Sequence, residues 1–171
     1  MTPSGKTVVI GFGSIALKDD GLPVHLIRKL ATNPRFKQLT FLTSAVGGLE
    51  LITLIGGYST AVLLDTLKTG KGKPGEVKHF IYPQFGETFH LSSQHDASFE
   101  QAIELGKKLG IKLPARIHIV AMEIEDNLTL GEDMSPSILG QFDTLLNLVE
   151  IILRDVSGRR EAGGGLSRGT Q

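Results

Sequence analysis

Asp20, Asp65 and His95 are the residues of this chain whose types and positions could do chemistry together. Asp20 follows the apolar run Val8-Val9-Ile10 through a glycine-rich turn, and Asp65 comes directly after Ala61-Val62-Leu63-Leu64. Carboxylates placed after buried parallel strands fall in the crevice at the carboxyl ends, where open α/β proteins build their sites. His95 lies downstream in the polar stretch Ser92-Ser93-Gln94-His95-Asp96. Two carboxylates and an imidazole suit a hard-to-borderline metal ion, or acid/base work, if the fold brings them together.

Each has a plainer reading. Asp20 can serve as the N-cap of the helix that follows, with Asp19 a solvated acid of its first turn. Asp65 can cap its own loop through an Asx turn, although a carboxylate next to four apolar residues should be partly buried and so needs partners. His95 and the nearby His90 can be exposed loop side chains. His25, His79 and His118 fall at helix or strand positions and read as packing or surface residues, and Glu123, Glu125 and Asp126 read as a solvated loop at the same rim of the sheet.

The elements that must position these residues are legible as alternating patterns. Thr7–Gly11, Leu39–Leu42, Ala61–Leu64, Val77–Tyr82 and Arg116–Ala121 read as strands, the fourth with the polar alternation of an edge. Leu22, Leu26, Ile27 and Leu30 line one helix face, with Pro23 in its first turn and Asn33-Pro34 at its end. Gly48–Ile55 reads as a short apolar helix, Phe99 to Leu109 as another, and Ile138, Phe142, Leu145, Val149 and Ile152 as one long closing helix.

Strands alternating with helices predict a single α/β domain over residues 1–156. Its form is a three-layer sandwich with a mostly parallel five-stranded sheet, one antiparallel edge strand and helices on both faces. Right-handed crossovers favour the order 2-1-3-5 with the fourth strand at an edge, which makes the first and third strands neighbours and brings Asp20 toward Asp65. The glycine- and arginine-rich segment 157–171 is expected to be a disordered tail.

Composition narrows the function. The 171 residues balance 18 Lys+Arg against 18 Asp+Glu, so no net field favours nucleic acid or an anionic membrane. No apolar run approaches the roughly 18 residues of a membrane span, no signal peptide is apparent, and a cytoplasmic protein is expected. The absence of cysteine excludes thiol nucleophiles and thiolate metal sites. No Gly-x-Ser-x-Gly elbow is present. Gly11-Phe12-Gly13-Ser14-Ile15-Ala16 fits a dinucleotide fingerprint, but Leu17-Lys18-Asp19-Asp20-Gly21 separates it from the helix and would set carboxylates against a pyrophosphate. The glycines are expected instead to allow a tight turn and the close approach of another backbone.

Taken together, three segments resemble the nickel–iron hydrogenase maturation endopeptidases. That family opens with a strand followed by Gly-x-Gly-Asn-x-Leu-x-x-Asp-Asp/Glu-Gly, matched here by Gly11-Phe12-Gly13-Ser14 through Leu17 to Asp19-Asp20-Gly21. Its middle strand ends in an aspartate, followed by a loop and Pro-Gly before the edge strand, matched by Asp65-Thr66 and Pro74-Gly75. Its later histidine precedes a helix, as His95-Asp96 does, and Leu130-Gly131 to Ser135-Pro136 is similar to its closing stretch. The resemblance spans about residues 6 to 155. It implies an endopeptidase, often classed as aspartic-type, that removes the C-terminal extension of a nickel-loaded hydrogenase large-subunit precursor. By the same resemblance Asp20, Asp65 and His95 would contact the nickel, which the substrate carries, and Asp20 and Asp65 would be the catalytic carboxylates.

Two departures mark a divergent member. Ser14 stands where the family usually has Asn, and Thr43-Ser44-Ala45-Val46-Gly47-Gly48 replaces an Asp-Gly-Gly-Thr stretch associated with substrate recognition. The second departure leaves open a paralogue that binds the metal or the precursor without cutting.

Overall fold

The computed structural model describes residues 5–84, 88, 91 and 98–158. Five strands, β1 (Thr7–Phe12), β2 (Thr40–Ser44), β3 (Thr60–Leu67), β4 (Val77–Ile81) and β5 (Arg116–Glu123), form one sheet in the order β2-β1-β3-β5-β4. All neighbours are parallel except β4, which pairs antiparallel with β5 at the edge. This is the predicted topology, with the switch point between β1 and β3.

Helices α1 (Leu22–Ala31), α2 (Glu50–Ile55), α3 (Phe99–Lys108), α4 (Pro136–Leu139) and α5 (Phe142–Gly158) cover the two faces. On one face Leu22, Leu26 and Leu30 of α1 and Leu145, Val149 and Leu153 of α5 bury against Val9, Val62, Leu64, Val120 and Met122. On the other, Leu51 and Ile55 of α2 and Phe99 and Ile103 of α3 bury against Val8, Ile10, Leu63, Ile117 and Ile119. Successive strand residues therefore enter opposite cores, as the pleat requires. Each fully buried aliphatic side chain contributes about 1.5–3 kcal/mol.

Local signals set the helix ends. Pro23 sits in the first turn of α1, and Gly21 is its N-cap without a side-chain bond. Ser98 and Gln101 form a reciprocal capping box at the start of α3, each side chain accepting from the other's backbone amide at 3.3 and 2.8 Å.

Several boundaries differ from the sequence reading. Strands β3 and β5 run on to Leu67 and Glu123, because Asp65, Thr66 and Leu67 continue the ladder opposite Ala121, Met122 and Glu123. Asp65 is thus the sixth residue of an eight-residue strand, inside β3 rather than beyond it. Helix α2 begins at Glu50, two residues after Gly48, whose φ of 62° is left-handed. The closing helix is broken: Gly140 caps α4, and the Gln141 side chain donates to the carbonyls of Ser137 (2.9 Å) and Pro74 (2.8 Å) before α5 begins. At the other end α5 takes in Ser157 and Gly158, where the tail was expected to start, and residues 159–171 lie outside the described residues.

Candidate active site at the carboxyl ends of the strands

After β1 the chain makes a turn that only glycine permits. A Cβ on Gly13, at φ 147°, would lie 1.8 Å from the backbone oxygen of Asp20, and one on Gly11 would lie 2.7 Å from the backbone oxygen of Pro23. The glycines thus act as the sequence suggested, letting the 3-10 turn Lys18–Gly21 lie against the end of β1. Lys18 itself has φ 45°, an uncommon conformation for a residue with a side chain.

Asp20 is 1% exposed, and its Oδ2 accepts from the backbone amide of Ser14 at 2.7 Å. Its carboxylate therefore closes the glycine turn on itself and does not cap α1. Asp65 is 0% exposed. Its Oδ1 accepts from its neighbour's amide, Thr66 N, at 2.8 Å, and its Oδ2 from Thr88 Oγ1 at 2.7 Å and Leu91 N at 3.2 Å. A charge taken out of water is tolerated when donors surround it, and here they come from the strand and from the segment that follows β4.

The two aspartates share one end of the sheet. Gly11 pairs with Leu64, so Asp65 stands level with the last residue of β1, from which the turn to Asp20 departs. His95, with His90 and Asp96, lies outside the described residues. Among the described residues, no group of three or more His, Asp or Glu side chains is arranged to hold a metal ion.

Two acids that the sequence reading assigned to solvent are buried. Asp19 is 0% exposed, and its carboxylate accepts three backbone amides from the far connection: Glu125 N at 3.2 Å, Asp126 N at 2.9 Å and Ser135 N at 2.6 Å. Backbone bonds run beside it, from Lys18 N to Gly131 O (2.7 Å), Gly131 N to Ala16 O (2.9 Å) and Asp19 N to Asp126 O (3.1 Å). Lys18 Nζ adds an ion pair with Asp126 at 3.6 Å. Asp19 therefore fastens the turn that carries Asp20 to the loop between β5 and α4. Glu123 is 2% exposed and accepts from Thr69 N (2.8 Å), Thr69 Oγ1 (3.0 Å) and Gly70 N (3.1 Å), which ties down the basic loop Lys68 to Lys73. No local pattern announces either role, because the partners are more than fifty residues away along the chain.

Glu125 is exposed as expected and accepts from the Ser137 hydroxyl. Asp126 accepts from the Leu128 and Thr129 amides, and bonds from Thr129 above all hold its carboxyl well below the usual range. His79 and His118 form a pair, Nε2 to Nδ1 at 3.0 Å with stacked rings. His25 on α1 is half-buried, and desolvation, then the Arg28 charge, lower its pKa against a smaller opposing effect of Glu132.

Beside the turn lies a cavity of about 260 Å³ walled by Ser14, Arg28, Thr43 and Ser44 among others. The segment in which this chain departs from the resemblance, Thr43 to Ala45, is therefore part of the wall next to the amide that holds Asp20.

Comparison with known proteins agrees with this architecture. The family model for hydrogenase maturation proteases (HycI) matches residues 24–152. Among solved structures, the hydrogenase maturating endopeptidase HybD from E. coli superimposes with a TM-score of 0.69 at 19% identity, over 88% of this chain and 93% of that one. A NiFe hydrogenase maturation protease HybD from Thermococcus kodakarensis gives a TM-score of 0.58 at 23% identity, over 86% and 98%. The HycI protease of the same organism gives 0.54 at 20% identity, over 90% and 95%. No curated protein matches the chain.

Proposed function

The chain belongs to the hydrogenase maturation protease family, and from that premise we propose that it is an endopeptidase that removes the C-terminal extension of a nickel-loaded hydrogenase large-subunit precursor. The observation that carries this reading is the pair of carboxylates buried at the carboxyl ends of β1 and β3. Asp20 and Asp65 are fixed by backbone and side-chain donors at the topological switch point, where the fold places its ligands.

In the proposal the nickel belongs to the substrate. Carboxylate oxygens with an imidazole nitrogen suit such a borderline divalent ion, and Asp20, Asp65 and His95 are the groups that would meet it. Hydrolysis adds water across the scissile bond: the hydroxyl goes to the carbonyl carbon, the C–N bond breaks, and a proton passes to the leaving amine. Asp19 has a holding role in this scheme, since three backbone amides occupy its carboxylate oxygens. It works by holding the Asp20 turn in place. The reaction needs no membrane or nucleic acid; among the described residues no helix is long and apolar enough to cross a bilayer.

A second reading, a paralogue that holds the precursor or its metal without cutting, is favoured by one observation. The wall beside the Asp20 turn carries Thr43 and Ser44 and, among the described residues, no carboxylate. Calorimetric titration of the purified chain with nickel or cadmium tests the site common to both readings. Binding that is present in the unmodified chain and lost in Asp65→Ala supports it; binding unchanged in that variant removes it. Capture of intact precursor without a change in its length would select the second reading.

A further inference from the structure

Arg28 on α1 stands between two open spaces. On one side is the cavity of about 260 Å³ beside Ser14, Thr43 and Ser44. On the other is a larger groove of about 490 Å³, within the range of roughly 300–1,000 Å³ usual for ligand clefts. Its rim is basic, made by His25, Arg28 and Lys29 of α1, and its far wall is apolar, made by Met134, Leu139 and Phe142. Leu139 is 60% exposed, although α4 and α5 pack their other faces into the core.

The charge in the lining itself is positive, although Glu132 stands near enough to act on His25. Among the described residues, no acidic residue lines either space and Arg28 has no ion-pair partner. Burial and the Arg28 charge keep His25 toward its neutral form, so Arg28 and Lys29 supply the positive charge. The Nε2 atom of His25 is buried in this wall and has no hydrogen-bond partner among the described residues. Ser14 and Thr43 also line the smaller space, where their hydroxyls can complete the coordination of an anionic group held by the guanidinium, whereas the Ser44 hydroxyl donates to the Val46 carbonyl. Space on both sides of Arg28 suits a chain that runs past it, whereas a chain terminus would fill only one.

We propose that Arg28 is a specificity-determining residue: it pairs with an acidic side chain on an extended segment of the substrate protein, and Met134, Leu139 and Phe142 take a bulky apolar side chain of the same segment. The assignment rests on the reading that the substrate is a polypeptide, and it names the chemistry of the stretch recognised beside the Asp20 turn. An acidic residue next to a large apolar one is selected; a basic residue there meets Arg28 and Lys29 and is rejected.

The test uses the full chain and four short peptides, each binding measured by amide shifts in two-dimensional NMR. Three are capped at both ends and carry Glu-Phe, Gln-Phe or Lys-Phe; the fourth carries Gln-Phe with a free terminal carboxylate. The Glu peptide is expected to bind about fivefold more tightly than its Gln twin, the scale of a partly exposed ion pair. Shifts should cluster on α1 and on residues 134–142, and the preference should vanish in Arg28→Gln. Asp65→Asn should bind the Glu peptide as the unmodified chain does, so a failure of precursor cleavage and a failure of this groove remain distinguishable. Equal binding of Glu and Gln peptides, binding only of the free-carboxylate peptide, shifts elsewhere, a preference that survives in Arg28→Gln, or no binding at all would each overturn the proposal.

Discussion

At the scale of single residues, four acids among the described residues, Asp19, Asp20, Asp65 and Glu123, are held as acceptors inside the fold, and only Asp65 was visible as such from sequence. Asp65 announced itself because four apolar neighbours imply burial, and burial of a carboxylate implies donors. Asp19 and Glu123 gave no such sign, since each lies in an acid-containing stretch that looks solvated and finds its donors far along the chain. Asp19→Ala removes the acceptor of three buried amides, and we expect about 3 kcal/mol or more of lost stability in urea unfolding, with Asp20 displaced and precursor processing impaired. Glu125→Ala, at an exposed position in the same loop, should cost far less.

Asp126 permits a pH test at the same scale. Its carboxyl titrates well below the ordinary value of 3.8 in the folded chain, because Thr129 and Leu128 donate to it and Lys18 stands nearby. A carboxyl with a depressed folded pKa adds stability above its unfolded value and loses it as pH falls toward the folded one. The melting temperatures of the unmodified chain and Asp126→Asn should therefore differ at pH 7 and converge as the pH is lowered below about 4.

At the scale of elements, topology was the most legible property. Periodicity located every strand and the core faces of α1, α3 and α5, and the handedness of crossovers then fixed the neighbours of β1. Boundaries were less legible where tertiary partners override the local pattern. The β3 ladder continues through Asp65 and Thr66 because β5 runs beside it, and the closing helix breaks at Gly140, next to the Gln141 side chain that bonds to Pro74 across the molecule. The Asp20 turn lies between these cases. Its glycines were readable as devices for close approach, while the loop to which Asp19 fastens it was not. His95 was a candidate by residue type and loop position, was joined to the aspartates by family resemblance, and lies outside the described residues. Gly13→Ala puts a methyl group onto the Asp20 carbonyl at a φ that side chains rarely adopt. Neither backbone can yield cheaply, so about 3 kcal/mol of stability and the processing activity should be lost together. Gly70→Ala, where a Cβ meets nothing within 4 Å, should cost only about 1–2 kcal/mol for its left-handed φ and leave processing intact.

At the scale of the whole molecule, the carboxyl end of the sheet is where the observations converge. It carries Asp20 and Asp65, the Arg28 wall, and loops that expose large apolar residues: Val46 and Leu49 after β2, and Leu128 and Leu130 after β5. Exposed apolar side chains gathered around a polar site fit a protein substrate better than a small molecule. Cleavage of such a substrate would be read most plainly by intact mass analysis of a nickel-loaded hydrogenase large-subunit precursor. After incubation with the unmodified chain, a precursor shortened by its C-terminal extension and a released peptide of matching mass are expected, with neither product from Asp65→Ala. A nickel-loaded precursor that keeps its full mass with the unmodified chain, or is shortened equally by Asp65→Ala, would contradict the proposed cleavage.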